Sequence, residues 1–124
     1  MGVRIRIEGI RNSDGLVACA LFDQAGPFPG DKERAAHGEA LPAEAGVMEF
    51  VFFDVTPGRY AVSVLHDENS NGRLDTNLLG MPKEGYGISN GAFRRFGPPR
   101  FEEAALHVHP GDEVRIVVRY PRYA

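Results

Sequence analysis

Apolar residues at every second position, in short runs cut off by glycine and proline, constrain this chain more than anything else in it. Val3, Ile5 and Ile7 alternate with Arg4, Arg6 and Glu8. That is the signature of a strand with one buried and one wet face, because a helix would spread the same residues around its circumference. In RYAVSVL the period puts Tyr60, Val62 and Val64 on one face and Ala61, Ser63 and Leu65 on the other. Near the end, Leu106 with Val108, and Val114, Ile116 and Val118 with Tyr120, repeat it. GLVACALF (15–22) and VMEFVFFDV (47–55) are apolar runs of strand length. RNSDG, TPG and PGD fall between runs, and proline, glycine and Asx residues in that order are turn chemistry. The expectation is an all-β fold of six or seven short strands and no long helix, closed as a single antiparallel sandwich.

Size and charge bound what such a fold can do. With 124 residues the chain makes one domain, residues 1–124, long enough to bury roughly two-thirds of its unfolded surface without disulfides. Fifteen glycines and nine prolines favour turns over helices. A net charge of −3 gives no basic surface for phosphates, so nucleic acid is not an expected partner. No apolar run is long enough for a membrane-spanning helix. The single cysteine, Cys19, lies inside GLVACALF, where a free thiol usually behaves as a small buried hydrophobe.

Two stretches break the pattern. QAGPFPGDKERAAHGEALPAEAG (24–46) reads as a long loop with one helical turn around DKERAA. Residues 66–100 show no clear strand, yet Leu78, Leu79, Met81, Tyr86, Ile88, Phe93 and Phe96 supply apolar side chains to bury. An irregular stretch of that length in a small domain usually carries function.

It opens with HDENSNGRLDTN directly after a strand. Asp67, Asn69 and Asn71, then Gly72, then the carbonyl of Arg73 and the carboxylate of Asp75, reproduce the first two-thirds of an EF-hand loop. Calcium needs six to eight oxygens, and alternate residues of a tight loop aim theirs at one centre. The closing bidentate glutamate is replaced by Leu78, and a strand rather than a helix leads in, so the loop is not an EF-hand. Glu68 or Glu84 are the spare carboxylates, and calcium, bound weakly, is the one candidate cofactor. The same Asx residues also suit turns that satisfy their own backbone without a metal.

Other chemistry is thinner. His66 ends the Tyr60–Val64 face beside Asp67 and is the one plausible base or ligand; a small hydrolase using His66 with Asp67 or Glu84, in a cleft under the 66–100 stretch, is the enzymatic alternative. Such a histidine more often orders a loop through hydrogen bonds. Ser63, Ser70 and Ser89 lack the context of a nucleophile. His107 and His109 have tolerable metal spacing on a strand but no third ligand, and His37 has no partner. GYGISNGAFRRFGPPRF (85–101) combines aromatics and arginines in the manner of interface hot spots. His66, Tyr86, Asn90, Phe93, Arg94, Arg95 and Phe96 form the expected surface for an unknown protein or small ligand. The alternative is that these aromatics cap the core.

PGRYAVSVLHDENSNGRLDTNLLGMPKEGYGISN (57–90) resembles the core of a bacterial family known only as a domain of unknown function. ALFDQAGPFPG (20–30) and FGPPRFEEAALHV (96–108) are similar to its flanking segments. The resemblance implies a small exported, periplasmic or secreted β-sandwich with no established activity, although MGVRIRIEGI reads as a strand and not as an export signal. A wider similarity, through the PGRYAVSV strand, is to prealbumin-like sandwiches, with an immunoglobulin-like arrangement as the other architecture. One enzyme family on the prealbumin scaffold ends in a Tyr-Arg-Gly-Ser tetrapeptide; this chain ends in VRYPRYA, so those catalytic residues do not transfer. The functional expectation is a non-enzymatic binding or accessory module.

Overall fold

The computed structural model describes residues 2–68, 85–92 and 99–120. These form eight strands in two sheets. The first sheet has the order β4-β1-β8, from β1 (Val3–Ile10), β4 (Gly46–Phe52) and β8 (Glu113–Val117). The second has the order β3-β2-β5-β6, from β2 (Leu16–Phe22), β3 (His37–Pro42), β5 (Gly58–Asp67) and β6 (Gly85–Ile88), with β7 (Leu106–Val108) pairing the start of β5. The all-β sandwich expected from the period-two pattern is the architecture found.

Alternation decides which side chains enter the core. Val3, Ile5 and Ile7 of β1 meet Met48, Phe50 and Phe52 of β4, their register partners, and Val114 and Ile116 of β8. Facing them from the second sheet are Val17, Cys19 and Leu21 of β2 and Tyr60, Val62 and Val64 of β5. Each fully buried aliphatic or aromatic side chain of this kind contributes about 1.5–3 kcal/mol. Cys19 sits in this core with its thiol pushed well up by burial.

The outer face of the second sheet is also covered. Ala20, Phe22, Ala61 and Ile88 pack there against Phe28, Phe101 and Ala104, with the Phe28 ring edge-on to both Phe22 and Phe101. Ser89 Oγ accepts from the Val62 N–H at 2.9 Å and donates to the Ala104 carbonyl, joining β5 to the one-turn helix α1 (Phe101–Ala104). The aromatics of the 85–101 stretch, so far as they lie among the described residues, cap this face.

Four expectations change. The stretch 24–46 holds the expected turn, at Lys32–Arg34, but also β3, an edge strand exposed at four of its six positions and so without a clear apolar period. Gly85–Ile88 is a strand hidden from pattern reading by its glycines. The alternation at Leu106 and Val108 yields only a three-residue β7, and the residues before it form α1, because Phe101 and Ala104 bury together at helical spacing. Finally, the sandwich is not purely antiparallel: β1 and β8 pair in parallel. The His109–Asp112 turn carries the chain from one sheet to the other, so β8 enters alongside β1 in the same direction.

Candidate functional site

β5 is the longest strand among the described residues and the one that leads into HDENSNG. Its end is paired on both sides: Val17 and Leu16 of β2 face His66 and Asp67, and Gly85 of β6 faces His66. The chain between Asp67 and Gly85 therefore leaves and re-enters the sheet at adjacent points. Over this exit folds the β1–β2 turn, Arg11 to Gly15. Asn12 Oδ1 accepts from the Asp14 N–H at 3.0 Å, an Asx turn. Gly15 has φ +69°, and a Cβ there would stand 2.0 Å from the Asp67 carbonyl oxygen, so only glycine lets the turn close onto β5.

The turn grips the end of β5 at two residues. His66 is fully buried, and both its ring nitrogens are used. Nε2 lies 2.7 Å from the Asp14 carbonyl oxygen, which can only accept, so Nε2 carries the proton. Nδ1 lies 2.7 Å from Tyr120 Oη, which in turn accepts from the Arg11 N–H at 3.0 Å; the phenol hydrogen is free to donate to Nδ1. Both ring nitrogens are thus satisfied.

Three N–H donors among the described residues hold Glu68. Arg11 donates from Nε (3.1 Å) and Nη2 (2.6 Å), and Asn12 from Nδ2 (2.7 Å). The bond from Arg11 leads in holding this carboxyl below the usual carboxylate range, and the pair raises Arg11 in turn. The Arg11 guanidinium also stacks over the Tyr120 ring at 4.3 Å. With Arg11 half exposed, the pair contributes about 0.5–1 kcal/mol, more to geometry than to stability.

Tyr120 closes the other side. A Cβ at Gly85 would lie 2.3 Å from a carbon of its ring, so the ring is seated directly on the backbone where the chain re-enters the sheet. Tyr86 and Arg119 exchange main-chain hydrogen bonds at 3.0 and 2.8 Å, tying β6 to the chain beyond β8. One polar cluster of Arg11, Asn12, Asp14, His66, Glu68 and Tyr120 thereby fixes both stems of the 69–84 segment.

The residues expected to act are distributed as follows. Asp67 is buried, 3% exposed, at the last position of β5. Asn69, Asn71, Arg73, Asp75 and Glu84, and likewise Phe93, Arg94, Arg95 and Phe96, lie outside the described residues. Tyr86 is half-buried in β6. Asn90 is exposed, with Nδ2 donating to the carbonyls of Ala105 (3.0 Å) and Glu103 (3.3 Å), so it closes the end of α1. His66, expected on a ligand surface or as a base in a cleft, is fully buried, with its ring nitrogens bonded to Asp14 and Tyr120. Glu68, a spare carboxylate for the loop, is committed to Arg11 and Asn12. His107 and His109 do not converge with a third ligand: among the described residues no three His, Cys, Asp or Glu side chains gather as a metal site. His109 donates its N–H to the Asp112 carboxylate at 2.8 Å and belongs to the turn.

Sequence reasoning missed Arg11, Asn12, Asp14 and Tyr120. The first three were legible as a turn, and Tyr120 as one more residue on a strand face. Their convergence is long-range and leaves no local signal.

The chain was compared with known proteins. The model of the family described as an uncharacterized protein conserved in bacteria (DUF2141) matches residues 5–116. The chain belongs to that family. The match runs from Ile5 within β1 to Ile116, one residue short of the end of β8, and so takes in both sheets and the whole polar cluster except Tyr120. No curated protein and no solved structure matches the chain. No helix among the described residues is long and apolar enough to cross a membrane.

Proposed function

We propose that this DUF2141 member is a non-enzymatic binding module, exported in bacteria, that presents its 67–84 segment as a weak calcium loop from an anchored rim. The ligands are the side chains of Asp67, Asn69, Asn71, Asp75 and Glu84 and the carbonyl of Arg73. The observation that carries the reading is the clamp on both stems: Glu68 is held by Arg11 and Asn12, and Gly85 lies under the Tyr120 ring. Fixing the ends of a cation loop favours binding, since part of the entropy of closing the loop is then already lost. The Asp-x-Asn-x-Asn-Gly-x-x-Asp frame supplies the oxygens, and its first residue, Asp67, stands at the end of a strand paired on both sides. Aromatic and arginine residues of the 86–96 stretch, Tyr86, Phe93, Arg94, Arg95 and Phe96, supply the surface for a protein or small ligand.

Thermal unfolding in EGTA, in calcium and in magnesium tests this. For a Kd of ~10⁻⁴ M, about 10 mM calcium stabilises the fold by about 2.7 kcal/mol and raises Tm by about 10 °C. Magnesium, which demands tighter octahedral geometry, leaves Tm within about 2 °C of the EGTA value. Equal midpoints in calcium and EGTA refute the calcium loop and leave self-satisfied Asx turns.

A further inference from the structure

A different edge of the sandwich carries a second inference. The parallel β1–β8 ladder fixes which backbone groups of β8 are used. The Arg4 N–H bonds the Asp112 carbonyl and the Val118 N–H bonds the Glu8 carbonyl, so Asp112, Val114, Ile116 and Val118 turn their main chains toward β1. Glu113, Arg115 and Val117 turn theirs away. β6 covers the far part of this outer edge: the Val117 carbonyl approaches Gly87 so closely that a Cβ there would lie 2.8 Å from it. The near part, Glu113 to Arg115, pairs with no other strand among the described residues. It opens on a groove of about 500 Å³ whose other walls include Leu106, His107 and Asn90. Open main-chain donors and acceptors in a row select an extended strand.

The sequence of that edge, Glu-Val-Arg, is complementary to itself when reversed. We infer that β8 pairs antiparallel with β8 of a second copy of this chain, about a twofold axis at Val114, joining the two three-stranded sheets into one. Glu113 then faces the partner copy's residue 115, Val114 its own counterpart, and Arg115 the partner copy's residue 113. The hydrogen-bond phase agrees. Glu113 and Arg115 both present open main-chain groups, so each pair exchanges two bonds, and Val114 sits at the non-bonded position on the axis.

Charge favours the same pairing. Arg6 and Arg115 are register neighbours, like charges side by side, with Glu8 bridging them at 2.9 and 3.0 Å. The partner copy's residue 113 brings a second carboxylate to Arg115 from the open side. The opposite edge of the same sheet offers no such match. On β4 the outward main chains belong to Val47, Glu49 and Val51, and reversal there faces glutamate with valine or with itself.

The contact is small, so association falls in the weak class and shows at high concentration. Sedimentation equilibrium between ~5 and ~500 µM is expected to show a reversible rise from one chain mass toward two. Glu113→Arg and Arg115→Glu each place two like-charge pairs across the axis, and each is expected to weaken association about tenfold or more. Mixing the two single variants in equal amounts is the decisive arm. The mixed dimer has Arg facing Glu at one pair and the native pair at the other, so association returns to within about threefold of the native chain. Circular dichroism melts confirm that each variant is folded. A native chain that stays at one chain mass at the top concentration overturns the inference. So does a mixture that associates no better than either variant alone.

Discussion

Removing one hydroxyl tests the wiring of the polar cluster. Tyr120→Phe keeps the ring on Gly85 and under the Arg11 guanidinium and deletes only Oη. Two hydrogen bonds go with it, from the Arg11 N–H at 3.0 Å and to His66 Nδ1 at 2.7 Å. Arg11 is exposed enough for its N–H to find water. His66 is not: at 0% exposure its Nδ1 is left without a partner, and a buried polar group so stranded costs about 1–3 kcal/mol. The expected loss is about 2 kcal/mol. A chain of this length shifts by about 4 °C per kcal/mol, which gives a fall in Tm of about 8 °C. Urea unfolding with unchanged slope provides the free energy directly. A cycle with His66→Leu supplies the coupling: once the imidazole is gone, Tyr120→Phe should cost at least about 0.5 kcal/mol less. If the single variant lies within about 0.5 kcal/mol of the native chain, Tyr120 does not satisfy His66 and the account of the cluster is wrong.

Three further outcomes are expected. Gly15→Ala forces a Cβ against the Asp67 carbonyl at a backbone angle of +69°, so it should destabilise by about 3 kcal/mol or more by urea unfolding, a value the ordinary glycine-to-alanine change in a strand does not approach. The Glu68 carboxyl is held below its ordinary range when folded, so its contribution is present at neutral pH and is lost as pH falls through the carboxylate range; stability of Glu68→Gln should fall less between neutral and acid pH than that of the native chain. Cys19, buried with its thiol pushed up, should react with an aromatic disulfide reagent only as fast as the chain unfolds, and rapidly in urea.

The strands with one wet face followed from local pattern, which gave six or seven of the eight found among the described residues. β1 and β8 alternate arginine or glutamate with valine or isoleucine, and those are the residues the structure divides between solvent and core. Pattern failed where burial does not alternate. β3 is exposed at four of its six positions, β6 needs Gly85 and Gly87 because Tyr120, Ile116 and Val117 press on its backbone, and α1 replaces strand where Phe101 and Ala104 meet a second apolar cluster.

The candidate site divides along the same line. The oxygen-rich frame that begins at Asp67 is a property of the sequence, since its residues are neighbours in the chain and their spacing sets which side chains share a centre. The role of His66 is not. Its neighbours in sequence made it a candidate base, whereas Asp14 and Tyr120, 52 and 54 residues away, make it a buried hinge-pin with both nitrogens bonded. The self-complementary edge shows the same division: Glu-Val-Arg is written in the chain, but only the parallel pairing with β1 decides that Glu113 and Arg115 turn their main chains outward. Local spacing determines which groups a segment offers. Contacts between residues far apart in sequence determine which of those groups remain free to act, because burial and hydrogen-bond satisfaction are properties of the whole fold.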